Sequence, residues 1–228
     1  TPKWRHWIEA LPERCDVATP DQRLYSGRNE VLLLEHENRR LAVKRFRNRG
    51  PWKKVAYRFS SSKARRSFEH SQHILEVGLP SPDPVAWLEV WNGSWLHQSF
   101  YVCEYVDYGH DASALADRSL ADRIEKAELI GDAFARLHRN GIAHLDLNAG
   151  NLLFSQPAPG ALRLFIIDNN RVRLRPVSLN QGCSLLLRSH LTDDILEAAL
   201  KTYAQERNYP YDRLRASYDS QRSRYLLN

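Results

Sequence analysis

Methionine is absent from all 228 residues, position 1 included, so the sequence is expected not to open at a translation start. Cysteine is nearly absent: Cys15, Cys103 and Cys183 are far apart, odd in number and form no CxxC pair. That excludes a zinc site or a disulfide framework as the organising device and makes a reducing compartment the simplest expectation. No apolar run approaches the roughly 20 residues needed to span a bilayer. The opening "TPKWRHWIEALPER" is too polar for the core of a secretory signal. There is no internal repeat and no long low-complexity segment.

What is present is a globular composition, with 26% charged and 43% hydrophobic residues. The length suits one large domain or one two-lobed domain with a real core. A net charge of +6 favours an anionic partner, whether phosphate ligand, nucleic acid or membrane surface. Nothing matches an aromatic nucleic-acid platform or a zinc finger, so no nucleic acid is expected as partner. The densest basic cluster is "KRFRNRGPWKK" at 44–54.

The N-terminal part reads as strands: an apolar run Val31–Leu34, a turn "ENRR" at 37–40, then "LAVKRF" at 41–46. "SSSKARRSFEHSQHILEVGLP" reads as a helix, with Ala64, Phe68 and Leu75 near one face and Gly78 as its stop. "VAWLEVW" and "SWLHQSFYVCEYV" follow as strands joined through Asn92-Gly93, a strong hairpin signal. The second half turns helical. Leu120, Ile124, Ala127, Phe134 and Leu137 form one stripe, Ser119 with Asp122 resembles a capping box, and Gly141 closes the helix. Two short apolar runs, "NLLF" and "LFIID", precede about 60 mostly helical, arginine-rich residues. The expected division is 1–106 and 107–228.

The chemistry centres on "HLDLNAGNLLF", His144 to Phe154. Phosphoryl transfer asks the protein for a carboxylate that orients the attacking hydroxyl and for oxygen ligands that hold Mg²⁺ on the nucleotide phosphates. Asp146 fits the first task. Asn151, five residues on, and Asp168, at the end of "LFIID", fit the second, because Mg²⁺ takes one or two carboxylates plus phosphate and water. Gly150 is expected to let the chain turn between Asp146 and Asn151. His144 reads as a structural histidine supporting the loop. Upstream, Lys44 in "LAVKRF" sits where a strand lysine reaches the α/β-phosphates, and a helix carboxylate should pair with it. Glu69 is in the right helix, with Glu76 as competitor. Taken singly, each is ordinary: a strand lysine is commonly a solvent-facing charge, and Gly27 a simple turn glycine. Their order within a strand–helix–strand–helix–hairpin context carries the argument.

In that order these residues resemble the protein-kinase-like fold. The implied class is α+β, a two-lobed protein-kinase-like fold with an antiparallel-sheet N-lobe (1–106, sheet plus one helix) and a reduced helical C-lobe (107–228). The sequence departs from the protein-kinase pattern at several points. Leu145 replaces the arginine of His-Arg-Asp, so control by a phosphorylated activation loop is not expected. "DNN" at 168–170 replaces Asp-Phe-Gly, and no Ala-Pro-Glu follows. The glycine loop is reduced to "YSGRNEV" with Gly27 alone, where Arg28 or Asn29 would compensate.

The segments "SGRNEV", "LAVKRF", "SKARRSFEHS", "GLPSPDPVAW", "HLDLNAGNLLF" and "IIDNNRVR" are together similar to the bacterial lipopolysaccharide kinases, which include Kdo kinase and the core heptose kinases, over about residues 23–190. The resemblance implies an ATP- and Mg²⁺-dependent kinase acting on a sugar hydroxyl of the lipopolysaccharide core or a lipid A precursor. It implies a cytoplasmic protein, peripheral at the inner face of the bacterial inner membrane, in contact with an anionic membrane surface. Carried over, Asp146 is the catalytic base, Asn151 and Asp168 bind Mg²⁺, and Lys44 paired with Glu69 positions ATP. "CEYV" at 103–106, with Glu104 and Val106, is the hinge whose backbone holds adenine, and Gly27 and Arg28 face the phosphates.

Arg171, Arg173 and Arg175 alternate after Asp168, so in an extended segment they share one face. That face either meets an anionic acceptor or is simply solvated. Trp4, Trp7 and Trp52 lie among basic residues, which suits membrane contact, although burial is the commoner fate of tryptophan. The rival readings are a small-molecule kinase of the aminoglycoside or choline type, an atypical RIO-like protein kinase, and a catalytically inactive pseudokinase acting as a binding module.

Overall fold

The computed structural model describes residues 1–47 and 61–226. They form two compact units, one of residues 1–73 with 82–106, the other of 74–81 with 107–228. No helix among the described residues is long and apolar enough to cross a membrane.

The first unit is built on a five-stranded antiparallel sheet. Its strands are β1 (Arg23–Ser26), β2 (Asn29–His36), β3 (Arg39–Arg47), β4 (Pro84–Asn92) and β5 (Trp95–Glu104), in the order β1-β2-β3-β5-β4. Glu37 and Asn38 link β2 to β3, both at positive φ, the handedness that matches the twist of the flanking strands. Asn92 is the last residue of β4, and the turn it announces is made by Gly93, at φ 59°, and Ser94.

Strand alternation divides β3. Leu41 and Val43 face one side of the sheet, and Ala42 and Phe46 the other. The first side is covered by α1 (Pro2–Glu9) and α2 (Leu11–Asp16), whose Trp7, Leu11 and Cys15 pack on Leu32, Leu34, Phe100 and Val102. Residues 2–9 and 11–16 are therefore helical, two helices added to a lobe expected to hold a sheet and one helix. Their apolar residues recur at helical spacing, with Pro2 at a first-turn position where its missing N–H costs nothing. Trp7 is only 3% exposed, so burial and not the membrane claims it. Trp4 donates to Glu37 at 2.8 Å. The second side is covered by α3 (Lys63–Glu76) through Ala64 and Phe68.

The basic cluster is partly internal. Arg45, 4% exposed, bonds Gln98 at 2.6 Å and Asp16 at 2.7 Å, and lies 3.5 Å from buried Glu30. Arg47 and Arg23 meet the same carboxylate at 2.7 and 2.8 Å. These arginines are structural. Residues 48–54 of the cluster, Trp52 among them, lie outside the described residues.

The second unit packs four helices with two small sheets. The helices are α4 (Arg123–Arg139), α5 (Leu179–Leu186), α6 (Asp193–Glu206) and α7 (Tyr211–Leu226). One sheet runs β6 (His110–Asp111), β8 (Leu152–Ser155), β9 (Arg163–Ile166); the other pairs β7 (Ile142–His144) with β10 (Val172–Leu174). The core joins Ala127, Ile130, Phe134 and Leu137 of α4 to Ile195, Leu200 and Tyr203 of α6. Ile124 is 50% exposed and drops out of the apolar stripe, while Leu120, which lies before the helix, packs on the core. The start of α4 also differs from expectation. Asp122, in left-handed backbone, is its N-cap and makes no side-chain cap bond, while Ser119 bonds Asp117.

Two glycines set the helix packing. A Cβ on Gly131 would lie 2.3 Å from the Ala199 carbonyl oxygen, so α4 and α6 approach closely only because it is glycine. A Cβ on Gly182 would lie 2.3 Å from the Tyr203 hydroxyl, which bonds His138 Nδ1 at 2.9 Å. Gly131→Ala is expected to destabilise by about 1–3 kcal/mol through overpacking, read as a lower urea midpoint at unchanged slope. Wild-type stability would show that the two helices slide apart freely.

Burial pushes the His138 imidazole from its ordinary 6.5 down to about 3, with Arg207 adding to the effect. Above pH 6.5 neither state is protonated at this site. Below it the unfolded chain binds a proton that the folded chain refuses, so stability falls from pH 6.5 towards pH 3. His138→Gln removes that proton uptake. The expected outcome is a shallower loss of unfolding free energy between pH 6.5 and 4; an unchanged slope would assign the acid sensitivity elsewhere.

Candidate functional site

In the second unit β7 delivers His144 to the loop that carries Asp146. His144 is buried, and its Nδ1 accepts the Asp146 backbone N–H at 3.3 Å. An N–H can only donate, so Nδ1 is unprotonated and the ring proton sits on Nε2. Nε2 then donates to Asn169 Oδ1 at 3.2 Å, and Asn169 Nδ2 donates to Ser81 Oγ at 3.0 Å. A buried chain of Ser81, Asn169 and His144 thus pins the backbone of Asp146, whose carboxylate is more than one third exposed.

Asn151 is fixed from the same loop. Its Nδ2 donates to the Asp146 carbonyl at 2.7 Å, which turns Oδ1 away as the oxygen available to a cation. The bend is made by a 3-10 turn, Ala149–Asn151, following Asn148. Gly150 does not use left-handed backbone there, and a Cβ would meet only Asn148 Oδ1 at an ordinary contact distance of 3.4 Å, so the expected need for glycine in the turn is not seen. The β8–β9 register, Leu152 opposite Ile166, with Ile167 N–H donating to Asn151 O at 3.0 Å, puts Asn151 and Asp168 at the same end of the hairpin. Asp168 is in left-handed backbone, φ 59°, and accepts a bond from Asn170 Nδ2. An amide oxygen and a carboxylate at one hairpin end are hard oxygen donors of the kind Mg²⁺ takes.

Of the three alternating arginines, Arg171 lies against Asp146, Nη1 to Oδ1 at 3.3 Å. Arg173 pairs with Ala143 across β10–β7, and Arg175 N–H reaches Gly141 O at 2.7 Å, each further from the loop. A fourth arginine, Arg188, follows α5 and donates to the Leu145 carbonyl at 3.1 Å.

In the first unit Lys44 sits in β3 opposite Tyr101, its Nζ 5.4 Å from the Phe46 ring centre. Glu69 is on the exposed side of α3, and its carboxylate is held by Arg65 one turn earlier, at 2.7 Å. The expected Lys44–Glu69 pair is therefore not the arrangement seen; the i,i+4 neighbour on the helix surface takes the carboxylate. Gly27 and exposed Arg28 form the β1–β2 turn, closed by Gly27 N–H to Asn29 O at 3.1 Å. A Cβ on Gly27 would meet only the Tyr25 ring, which can swing away. At the expected hinge, Glu104 N–H is held by Asp83 O at 2.9 Å and its carboxylate pairs with Arg39, while Val106 ends the unit. All three cysteines are free and buried; burial pushes Cys103 up to about 12 and Cys15 to about 11, so neither is a nucleophile.

Sequence reasoning missed Ser81, Asn169 and Arg188. Asn169 left a trace in "IIDNN", a polar pair after an apolar run. Ser81 and Arg188 left none, because only the tertiary fold brings them to the loop. Asn169→Ala leaves the His144 N–H and the Ser81 hydroxyl without this buried partner. A loss of about 1–3 kcal/mol is expected, read by urea denaturation. Unchanged stability would show that the chain from Ser81 to His144 does not hold the loop.

A family model described as "Lipopolysaccharide kinase (Kdo/WaaP) family" matches residues 20–201. A 3-deoxy-D-manno-octulosonic acid kinase of Haemophilus influenzae (strain PittEE) is 30% identical over 145 residues, 59% of each chain. One from Stenotrophomonas maltophilia (strain K279a) is 30% identical over 168 residues, 72% of this chain and 63% of that protein. The chain thus spans about three fifths of the length of the curated relatives it matches. A solved structure described as "WaaP in complex with acyl carrier protein" superposes with a TM-score of 0.64 at 19% identity, covering 96% of this chain and 91% of that one. That likeness establishes the kinase-like fold.

Proposed function

Since the chain belongs to the lipopolysaccharide kinase (Kdo/WaaP) family, we propose that it transfers the γ-phosphoryl group of ATP to a sugar hydroxyl, of Kdo or heptose, in the lipopolysaccharide inner core. The observation that carries this reading is the Asp146 loop. A carboxylate is presented to solvent on a backbone locked by His144, with the Asn151 amide oxygen and Asp168 at one hairpin end beside it.

Asp146 accepts the hydrogen bond of the acceptor hydroxyl and aligns that oxygen for in-line attack on the γ-phosphorus. As the O–P bond forms and the bond to the β-phosphate oxygen breaks, the hydroxyl proton passes to the carboxylate. Lys44 is assigned to the nucleotide phosphates, the Val106 N–H to adenine, and Gly27 with Arg28 to the phosphate side of the turn. Asn151 and Asp168 fit Mg²⁺, which when bound would offset the charge of the phosphates. Glu69 has no part in this scheme, because Arg65 holds its carboxylate. A lipid-linked acceptor and cytoplasmic ATP would meet at the inner face of the inner membrane, which is the location we propose. The net charge of +6 supports a peripheral contact with that anionic surface.

The test is ATP consumption with Mg²⁺ and either Kdo–lipid A or a heptosylated core acceptor. Acceptor-dependent ADP release is expected with one of them, falling about 10²–10⁴-fold in Asp146→Ala with the melting curve unchanged. Near-normal turnover by that variant would remove Asp146 from the mechanism. Turnover with soluble amino-sugars alone would replace the acceptor class.

A further inference from the structure

Two arginines bracket a single residue of the loop, Arg171 through its backbone carbonyl and Arg188 through its guanidinium. Leu145 donates its N–H to Arg171 O at 3.3 Å, and its carbonyl accepts from Arg188 Nη1 at 3.1 Å. The next residue is Asp146, whose carboxylate meets Arg171 at 3.3 Å. The two arginines come from different places, Arg171 from the turn before β10 and Arg188 from the 3-10 turn Leu187–Ser189 after α5. Both turns are anchored. Asn169 and Asn170 are buried before Arg171, and Leu187 and Ser189 are buried on either side of Arg188, with Ser189 Oγ bonded to Leu186 O at 2.6 Å. Both arginine side chains remain exposed.

The charges do not balance locally. Asp146 offsets one guanidinium. Among the described residues Arg188 has no carboxylate partner, its one bond going to a neutral carbonyl. A fixed, exposed guanidinium beside a reacting centre, with most of its five donors unused, is a receptor for a carboxylate or phosphate. Arg173 and Arg175 do not share the position. Along β10 the chain advances about 3.3 Å per residue away from the loop, and Arg175 is already level with Gly141.

We propose that Arg188 and Arg171 form an anion clamp that reads a carboxylate or phosphate of the acceptor next to the hydroxyl being phosphorylated. The clamp rests on the kinase reading above and adds to it the feature by which the acceptor is chosen. It also gives the Arg171–Asp146 pair a purpose. In the free enzyme Arg171 holds the base in place. An acceptor anion shared between Arg171 and Arg188 draws the guanidinium off the carboxylate and leaves Asp146 to the hydroxyl. A neutral sugar would meet Asp146 still paired and Arg188 unsatisfied. Arg188 is thus a specificity residue, and Arg171 a positioning residue for the base.

The experiment compares three acceptors: Kdo–lipid A, its Kdo carboxyl methyl ester, and its form stripped of the lipid A phosphates. Each is assayed as acceptor-dependent ADP release by wild type, Arg188→Gln, Arg188→Lys and Arg171→Gln. Wild type is expected to lose about tenfold in kcat/KM on whichever acceptor lacks the anion the clamp reads, which tells carboxylate from phosphate. Arg188→Gln is expected to lose a similar factor on native acceptor and nothing further on the neutralised one. Arg188→Lys keeps the charge without the planar fork and should retain part of the discrimination. If Arg188→Gln does not fold, the lysine variant and Arg171→Gln decide on the same readout. Equal losses by Arg188→Gln on all three acceptors, or discrimination equal to wild type, would overturn the clamp while leaving the kinase intact. No acceptor-dependent turnover by wild type, with these or with a heptosylated core, would fell the kinase reading and the clamp with it.

Discussion

Everything at the candidate site depends on one backbone hydrogen bond, from the Asp146 N–H to Nδ1 of buried His144. A catalytic carboxylate has to be open to its substrate, yet a side chain on an open loop is free to wander. Here the side chain is about one third exposed and the backbone is held by a buried ring. The bond fixes the His144 tautomer, the tautomer requires an acceptor at Nε2, and Asn169 supplies it with its own amide nitrogen satisfied by Ser81. The elements follow from the same demand: β7 must end at His144, and β10 must begin just after Asn169–Arg171.

Such a chain is costly to bury and fragile if incomplete, because a buried polar group without a partner loses its water for nothing. Completeness is what makes it specific. An apolar residue in place of Asn169 would still take one buried partner away from the His144 N–H and from the Ser81 hydroxyl. The second unit balances this polar interior with an apolar one, the close α4–α6 pair at Gly131, where packing alone sets the geometry. The first unit solves a similar problem with charge, gathering Arg23, Arg45 and Arg47 on Glu30 and leaving few of those cations for solvent.

Most strands and the α3 and α4 helices were legible, because period-two and period-3.6 apolar patterns and the Asn92-Gly93 signal are local. The helices over 2–16 were not. Their Trp4, Trp7, Leu11 and Cys15 form a clear helical stripe, but the dense basic residues around them read as surface. Ile124 fits the same periodicity as Ala127 and yet is exposed, since periodicity does not say where a neighbouring element stops. At the site, Asp146, Asn151 and Asp168 could be read from spacing because the loop and hairpin are contiguous in sequence. The Lys44–Glu69 pairing could not be settled that way. Which helix face turns to the sheet is a tertiary fact, and the exposed side with Arg65 took Glu69.

Leu145 shows how the fold makes up for what the loop sequence gives away. Where protein kinases place an arginine before the aspartate, this chain places a leucine, and its side chain packs with Ala143, Val177 and Leu185. The positive charge beside Asp146 is not lost. It returns from two other points of the chain, Arg171 on the carboxylate and Arg188 on the Leu145 carbonyl. A charge carried by the loop itself would move with the loop. Charges carried by the turn before β10 and the turn after α5 are anchored to separate parts of the core by buried neighbours. The proposed clamp follows from that separation of anchors, with one of its two arginines against the Asp146 carboxylate.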